Sequence, residues 1–304
     1  MTILVAGGTG QLATALAAFG QGRDLAVVGR PGLDFDEPDR IAATLAAHRP
    51  TLIINAAAYT AVDKAESDVD AAFRANASGP EILARYCAAA DIPLIHVSTD
   101  FVFDGTKGAP YVETDLTNPL GVYGASKRAG EIAVLAACPK ALVLRTSWVY
   151  APYGRNFVLT MLGAAQRMPC LRVVADQIGC PTAAPDLAAA ILAIADQLGH
   201  GWREEYGGIY HAAGTGFTSW HGLASAAFAE AARHGRAPPE VTPIATADWP
   251  TPVQRPADSR LDSSKLAQRF GVMLPDWQDA LSRMIDQALG AQGRAEPRRA
   301  TGTA

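Results

Sequence analysis

The strongest constraint in this sequence is an alternation. Short runs that are apolar on both faces, at 2–6, 25–28, 52–55, 94–97 and 142–146, are separated by alanine-rich stretches of helical character at 11–19, 37–48, 67–90 and 126–138. A strand without a polar face must be covered on both sides, and strands separated by helices run parallel. The expectation is an α/β chain on a Rossmann-type, doubly wound parallel sheet. Beyond residue 150 the pattern loosens. Strands are expected at 171–175 and 209–212, and helices at 185–198, 220–234 and 277–289, with proline-rich irregular loops at 237–243 and 249–256. This predicts a nucleotide-binding domain over 1–150, rejoined by the strand and helix near 208–234. The rest of 151–290 forms a smaller C-terminal substrate-binding lobe. The tail AQGRAEPRRATGTA, 291–304, is small, polar and basic, and is expected to be disordered.

At 304 residues the chain can bury a full core, and 49% apolar against 18% charged residues is a globular composition. The formal net charge is −4, with acids and bases mixed along the chain. No basic stripe is available to neutralise a nucleic-acid backbone or dock on an anionic membrane. An anionic ligand therefore needs local cations or free backbone N–H groups. The four cysteines, Cys87, Cys138, Cys170 and Cys180, form no CxxC pair and read as reduced thiols. His48, His96, His200, His211, His221 and His234 have no ligand spacing, so no metal site is expected. The opening MTILVAGG leads directly into a strand, and the apolar run at 187–195 falls far short of the roughly 20 residues that span a bilayer. A soluble, cytoplasmic protein is expected.

Gly7, Gly8 and Gly10 follow the first strand and precede the first helix, in the spacing Gly7-x-x-Gly10-x-x-Ala13. Without a Cβ, the backbone can approach a pyrophosphate that the helix N-terminus then faces. Placed at the start of a βαβ pattern, the turn points to a dinucleotide. A carboxylate at the end of the second strand would bind ribose hydroxyls, whereas an arginine can pair with a 2′-phosphate. The chain has Arg30 there, so NADPH is preferred and NADH stays open.

Tyr123 and Lys127 lie at i and i+4 of VYGASKRAGE, on one helix face. A carbonyl reduction needs a proton delivered to oxygen as hydride reaches carbon. A phenol can donate it, and a nearby ammonium is expected to lower the phenol's pKa from about 10. The same lysine can bond the nicotinamide ribose. Thr99 closes the strand run HVST, at the end of a parallel strand where ligands collect, and its hydroxyl can bond the substrate carbonyl and orient Tyr123.

The segments GGTGQLA, NAAAYTAVDKAES, HVSTDFVFDG, NPLGVYGASKRAGE, LRTSWVYAPYGRNF, DQIGCPT and RPADSRLD run from residue 3 to about 265, and LPDWQDAL lies beyond them. Together they resemble the extended short-chain dehydrogenase/reductase family, in its dTDP-4-dehydrorhamnose reductase branch. The resemblance implies reduction of the C4 ketone of dTDP-4-dehydro-L-rhamnose, with Tyr123 as proton donor supported by Lys127 and Thr99. It also implies cofactor contacts at Gly10, Gln11, Leu12, Arg30, Asp34, Phe35, Ala58, Tyr59 and Thr60, and sugar-nucleotide contacts at Thr99, Asp100 and Trp148.

Some positions depart from that pattern. Arg30 stands where some relatives carry an acid, and Phe101 where many have tyrosine. Ala15 replaces a glutamate that some relatives use in a magnesium-linked dimer, so no metal bridge is expected and the chain is read as a monomer or homodimer. Dehydratases on this fold carry an acidic pair after the threonine, and Phe101 in the second place argues against elimination. The alternatives are a reductase of another deoxysugar nucleotide, and a non-catalytic regulatory subunit like that of methionine adenosyltransferase.

Overall fold

The chain starts one strand in from the edge of its sheet. β1 (Thr2–Ala6) runs into α1 (Gln11–Phe19), then β2 (Asp24–Val28), α2 (Pro38–His48) and β3 (Leu52–Asn55). Two short helices follow, α3 (Val62–Ala65) and α4 (Val69–Phe73), and then α5 (Gly79–Ala89), β4 (Leu94–Thr99), α6 (Val122–Ala137) and β5 (Ala141–Thr146). In this computed structural model residues 1–290 are described, and the 291–304 tail expected to be disordered lies outside them.

The second half contributes β6 (Val149–Tyr150), α7 (Phe157–Ala165), β7 (Cys170–Val174), β8 (Ile178–Gly179), β9 (Thr182–Ala183) and α8 (Ala184–Gly199). It ends with β10 (Gly208–His211), β11 (Thr218–Ser219), α9 (Trp220–Ala232), β12 (Glu240–Ile244), α10 (Ser264–Phe270) and α11 (Trp277–Gly290).

Six parallel strands form the central sheet in the order β10-β5-β4-β3-β1-β2. Its inner strands are buried on both faces, as their composition requires. Ile3, Val5, Leu52 and Ile54 pack on one side with α1 and α8, while Leu4, Ile53 and Leu94 pack on the other with α2, α5 and α6. The chain winds one way from β1 to β2 and the other way from β3 to β5. The order therefore reverses between β1 and β3, where an open α/β sheet leaves a crevice at its carboxyl edge.

Several elements differ from expectation. The helix expected over 67–90 is interrupted by a π-turn at Arg74–Ser78. Pro80 in the next turn has no N–H to give Asn76, so the regular ladder fails there. The stretch 237–243, expected to be an irregular loop, overlaps β12, which pairs in parallel with β7 and carries Pro243 opposite Val173. Each strand of a two-stranded ribbon keeps one free edge, and a proline is tolerated on it. The helix after β10 does not return to the central sheet: α9 packs on α7, α11, β7 and β12. Instead α8, expected in the lobe, covers the sheet beside α1, because its apolar stripe of Leu187, Ile191 and Ile194 meets Leu12 and Leu16.

Candidate active site

One cleft of about 1130 Å³ follows the carboxyl edge of the sheet. It brings together every site residue read from the sequence: Gly7, Gly10, Gln11, Leu12, Arg30, Asp34, Phe35, Ala58, Tyr59, Thr60, Thr99, Asp100, Tyr123, Lys127 and Trp148.

The glycine turn forms one end. Gly8 has φ +55°, in the left-handed region that favours glycine, and its Cα would lie only 2.5 Å from a Cβ placed on Gly29. The ends of β1 and β2 thus meet backbone to backbone. Gly10 caps α1 in an extended conformation without any side-chain cap, so the first N–H groups of the helix face the cleft unanswered. Arg30, just past β2, is exposed and makes no hydrogen bond or ion pair among the described residues. Phe35 packs over the start of α5 at Gly79, and the Asp34 carboxylate accepts from the Asp36 N–H (3.0 Å).

The wall after β3 is held by a residue that sequence reasoning missed. Asn76, buried in the π-turn, accepts the Tyr59 N–H (2.8 Å) and donates to the Tyr59 carbonyl (3.1 Å) and to Ser126 Oγ (3.0 Å). The Ser126 hydroxyl in turn bonds the Tyr123 carbonyl (2.8 Å). The segment Ala58–Thr60 is thereby tied to α6, the helix that carries the Tyr–Lys pair.

That helix begins earlier than expected. Gly121 is its extended cap, and the Glu66 carboxylate accepts the Val122 N–H (2.8 Å), which places Tyr123 in the first turn. Lys127 is only 2% exposed and donates from Nζ to the Val97 carbonyl on β4 (2.7 Å). Burial pulls its pKa down to about 8, partly offset by Glu131 one turn further on. Glu131 is itself locked in a buried bidentate pair with Arg145 (2.8 and 2.7 Å). Burial pushes the Tyr123 phenol up to about 12, with Thr99 opposing the shift and the Asp100 charge adding to it. The expected lowering of the phenol by Lys127 is not found here, because desolvation dominates. Phe101 packs edge-on against the Tyr123 ring at 5.6 Å.

Thr99 Oγ1 donates to Asp100 Oδ1 (3.0 Å) and accepts the Phe101 N–H (3.2 Å). A hydroxyl has one proton. Here it goes to Asp100, and turned toward Tyr123 it would stabilise phenolate, which is the sense in which Thr99 opposes the rise of that phenol. Asp100 is buried, which raises its pKa to about 6 against the neighbouring hydroxyls of Ser259, Thr99 and Ser147. Ser98 Oγ, Asp100 Oδ2, Thr146 Oγ1 and Ser147 Oγ are buried at this floor without geometrically sound partners among the described residues.

Trp148 adopts φ +47°, a sparsely populated conformation for an aromatic residue. Its indole lies against Gly179, where any side chain would collide, and stacks face to face on Trp220 at 3.4 Å and 5°. Trp220 and Arg155 also line the cleft, and neither was read from the sequence. Ala15 is 1% exposed within the α1–α8 packing, so that position is turned inward. His211 and His221 bond the backbone carbonyls of Tyr111 and Val241. Among the described residues, no group of three or more His, Cys, Asp or Glu is placed to hold a metal, and no helix is long and apolar enough to cross a membrane.

A doubly wound sheet, a glycine turn at its switch point and a buried Tyr–Lys pair in the same cleft define a Rossmann-type protein of the extended short-chain dehydrogenase/reductase class. The particular family is shown by comparison. The family model described as RmlD substrate binding domain matches residues 1–289, and the chain belongs to that family. The dTDP-4-dehydrorhamnose reductase of Sinorhizobium fredii is 43% identical over 288 residues, covering 94% of this chain and 97% of that protein. The crystal structure of a dTDP-4-dehydrorhamnose reductase from Clostridium acetobutylicum superposes with a TM-score of 0.86 at 34% identity, covering 94% and 99% of the two chains. The one from Bacillus anthracis, in complex with NADP, gives 0.85 at 32% identity, covering 93% and 99%.

Proposed function

We propose that this chain reduces the C4 ketone of dTDP-4-dehydro-L-rhamnose to dTDP-L-rhamnose with NADPH. The observation that carries the reading is one cleft joining the bare glycine turn to Thr99, Tyr123 and Lys127. The names of the relatives, and the NADP held by the Bacillus anthracis enzyme, supply the substrate and the cofactor.

The residues present fit a dinucleotide. The uncapped N-terminus of α1, with Gly7, Gly10, Gln11 and Leu12, suits a pyrophosphate, and three of the four residues of the turn are glycines that let it come close to the backbone. Asp34, Phe35, Ala58, Tyr59 and Thr60 would hold the rest of the cofactor, Lys127 the nicotinamide ribose, and Arg30 the 2′-phosphate that separates NADPH from NADH. Bound NADPH supplies the hydride.

Tyr123 delivers the proton to the C4 oxygen. Its raised pKa keeps it protonated until negative charge develops on that oxygen, and the Lys127 ammonium then stabilises the phenolate. As the phenolate forms, Thr99 turns its proton from Asp100 toward it. Asp100 and the unpartnered hydroxyls at the floor offer hydrogen bonds to the sugar, with Trp148 as a flat wall. A lobe built on β7, β12, α7, α9 and α11 would hold the nucleotide. The enzyme would act in the cytoplasm as a monomer or homodimer.

The test is loss of reduced-nicotinamide absorbance when the chain meets NADPH and dTDP-4-dehydro-L-rhamnose, with dTDP-L-rhamnose identified as product. Oxidation of neither NADPH nor NADH would overturn the reading. Faster turnover of a different 4-keto sugar nucleotide would move the substrate assignment, since only pocket contacts would differ.

A further inference from the structure

Five cations line the cleft: Arg30, Lys64, Lys127, Arg155 and Arg255. Three of them are already engaged. Lys64 pairs with Asp68 at 3.3 Å, Arg255 with Asp63 at 2.8 Å, and Lys127 is buried on the Val97 carbonyl. Arg30 and Arg155 alone have no hydrogen bond or ion pair among the described residues. Arg30 stands beyond β2, at the end suited to a 2′-phosphate. Arg155 stands elsewhere, on the loop between β6 and α7.

That loop is fastened to the glycine turn. Tyr153 Oη donates to the Gln11 carbonyl (3.3 Å), and Asn156 Nδ2 donates to Gln11 Oε1 (2.9 Å). Asn156 also donates to the Ala151 carbonyl (2.8 Å), caps α7 by accepting the Leu159 N–H (3.0 Å), and is 8% exposed. Gly154 lies against the Gln11 side chain, where a Cβ would sit 3.3 Å from Cγ. Gln11 is the first residue of α1, the helix whose N–H groups are uncapped. The tether therefore holds Arg155, exposed and unpaired on the cleft wall, between Gly154 and Asn156, the two residues that touch Gln11 at the start of α1. No side-chain cation stands on the turn itself, since Gly7–Leu12 carry none.

We infer that Arg155 is a diphosphate-binding residue, closing over the dinucleotide pyrophosphate from the lobe side while the N-terminus of α1 holds it from the sheet side. The inference rests on the cofactor reading above, but not on the choice between NADPH and NADH, which share the diphosphate. Diphosphate is also present in a dTDP-sugar, and the contacts to Gln11 favour the dinucleotide as its source. A guanidinium suits the task because its fork can bond two phosphate oxygens at once.

The test titrates wild-type, Arg155→Gln and Arg155→Lys chains with NADPH, NADH, 2′-AMP and dTDP, each over a range of salt. Arg155→Gln is expected to weaken NADPH and NADH by the same factor, roughly 5–10-fold, for loss of one charge-assisted contact. Its salt dependence for NADPH should fall by about one ion. Binding of 2′-AMP, which has no diphosphate, should stay unchanged, and Arg155→Lys should recover part of the loss. Equal dinucleotide affinity in wild type and Arg155→Gln overturns the inference alone. So does a 2′-AMP loss as large as the NADPH loss, which would mean a general effect on the cleft. Weakened dTDP with unchanged NADPH would assign Arg155 to the sugar nucleotide and overturn the cofactor assignment. A wild-type chain that binds neither dinucleotide overturns the cofactor reading itself.

Discussion

Raising the pH should switch off this site at a point set by Lys127. Burial holds that ammonium near a pKa of about 8, against an ordinary value of 10.5. The groups facing it are the Val97 carbonyl and His96 on β4 and, on its own helix, Tyr123 and Glu131. His96 is buried and held well below 6.5, so it is neutral throughout this range. Tyr123, at about 12, keeps its proton. With one titrating group, the protonated fraction is about nine-tenths at pH 7, half at pH 8 and one-tenth at pH 9. The ratio kcat/KM for NADPH reports the free enzyme, which is the state of this structure, so its alkaline limb should be centred near 8 and fall roughly tenfold per pH unit beyond. The sign follows from the shift: a lowered ammonium pKa means the charge is lost earlier as pH rises. Stopped-flow or steady-state absorbance from pH 6 to 10 measures the limb. A limb centred near 10, or activity still flat at pH 9.5, would refute the claim that desolvation governs Lys127.

Three further outcomes can be checked on the same preparation. Tyr123→Phe should lower kcat well over tenfold while NADPH binding is retained, and near-normal turnover would remove the phenol from the chemistry. Arg30→Glu should weaken NADPH by about 30-fold, for loss of a charge-assisted contact of about 2 kcal/mol; NADH should change much less, and equal losses would refute the 2′-phosphate contact. Gly29→Ala would drive a Cβ into Gly8, 2.5 Å from its Cα. The strain of about 1–3 kcal/mol should lower Tm by several degrees and weaken both dinucleotides, and an unchanged Tm would refute that close approach.

Legibility in the sequence followed the range of the forces involved. The six-stranded sheet was largely readable, because strands such as 52–55 and 142–146 are apolar on both faces and only a two-sided burial satisfies them. The glycine turn and the Tyr–Lys spacing were readable because each is local. What escaped depends on contacts between distant segments. Asn76 looks like one polar residue in a helical run, and only the π-turn before Pro80 directs it to Tyr59 and Ser126. Arg155 carries no local signal, because its position is set by Gln11, more than a hundred residues earlier. The strand at Glu240–Ile244 was hidden by its prolines, which mark a loop unless a parallel partner such as β7 is already in place. The segments of α8 and α9 both read simply as helices, and their different destinations follow from the partners they find, α1 for α8 and α7 and α11 for α9.

The Tyr–Lys pair shows where spacing stops and environment takes over. Spacing of i and i+4 suggests a lysine that lowers its neighbour's pKa at rest. In the folded chain both groups are buried between α6 and β4, and desolvation moves each toward its neutral form: the phenol upward and the ammonium downward. That is the more useful arrangement for a proton donor. A phenol already ionised at neutral pH would have no proton to give, whereas one kept neutral by burial releases it only when charge appears on the oxygen beside it. The same low polarity that resists phenolate at rest strengthens the attraction between phenolate and ammonium once both are charged. Glu131, held in place by Arg145, tempers the loss on Lys127 so that the ammonium is still largely present at pH 7. The depth at which α6 buries this pair, rather than the spacing of the two residues, sets the pH window in which the site can work.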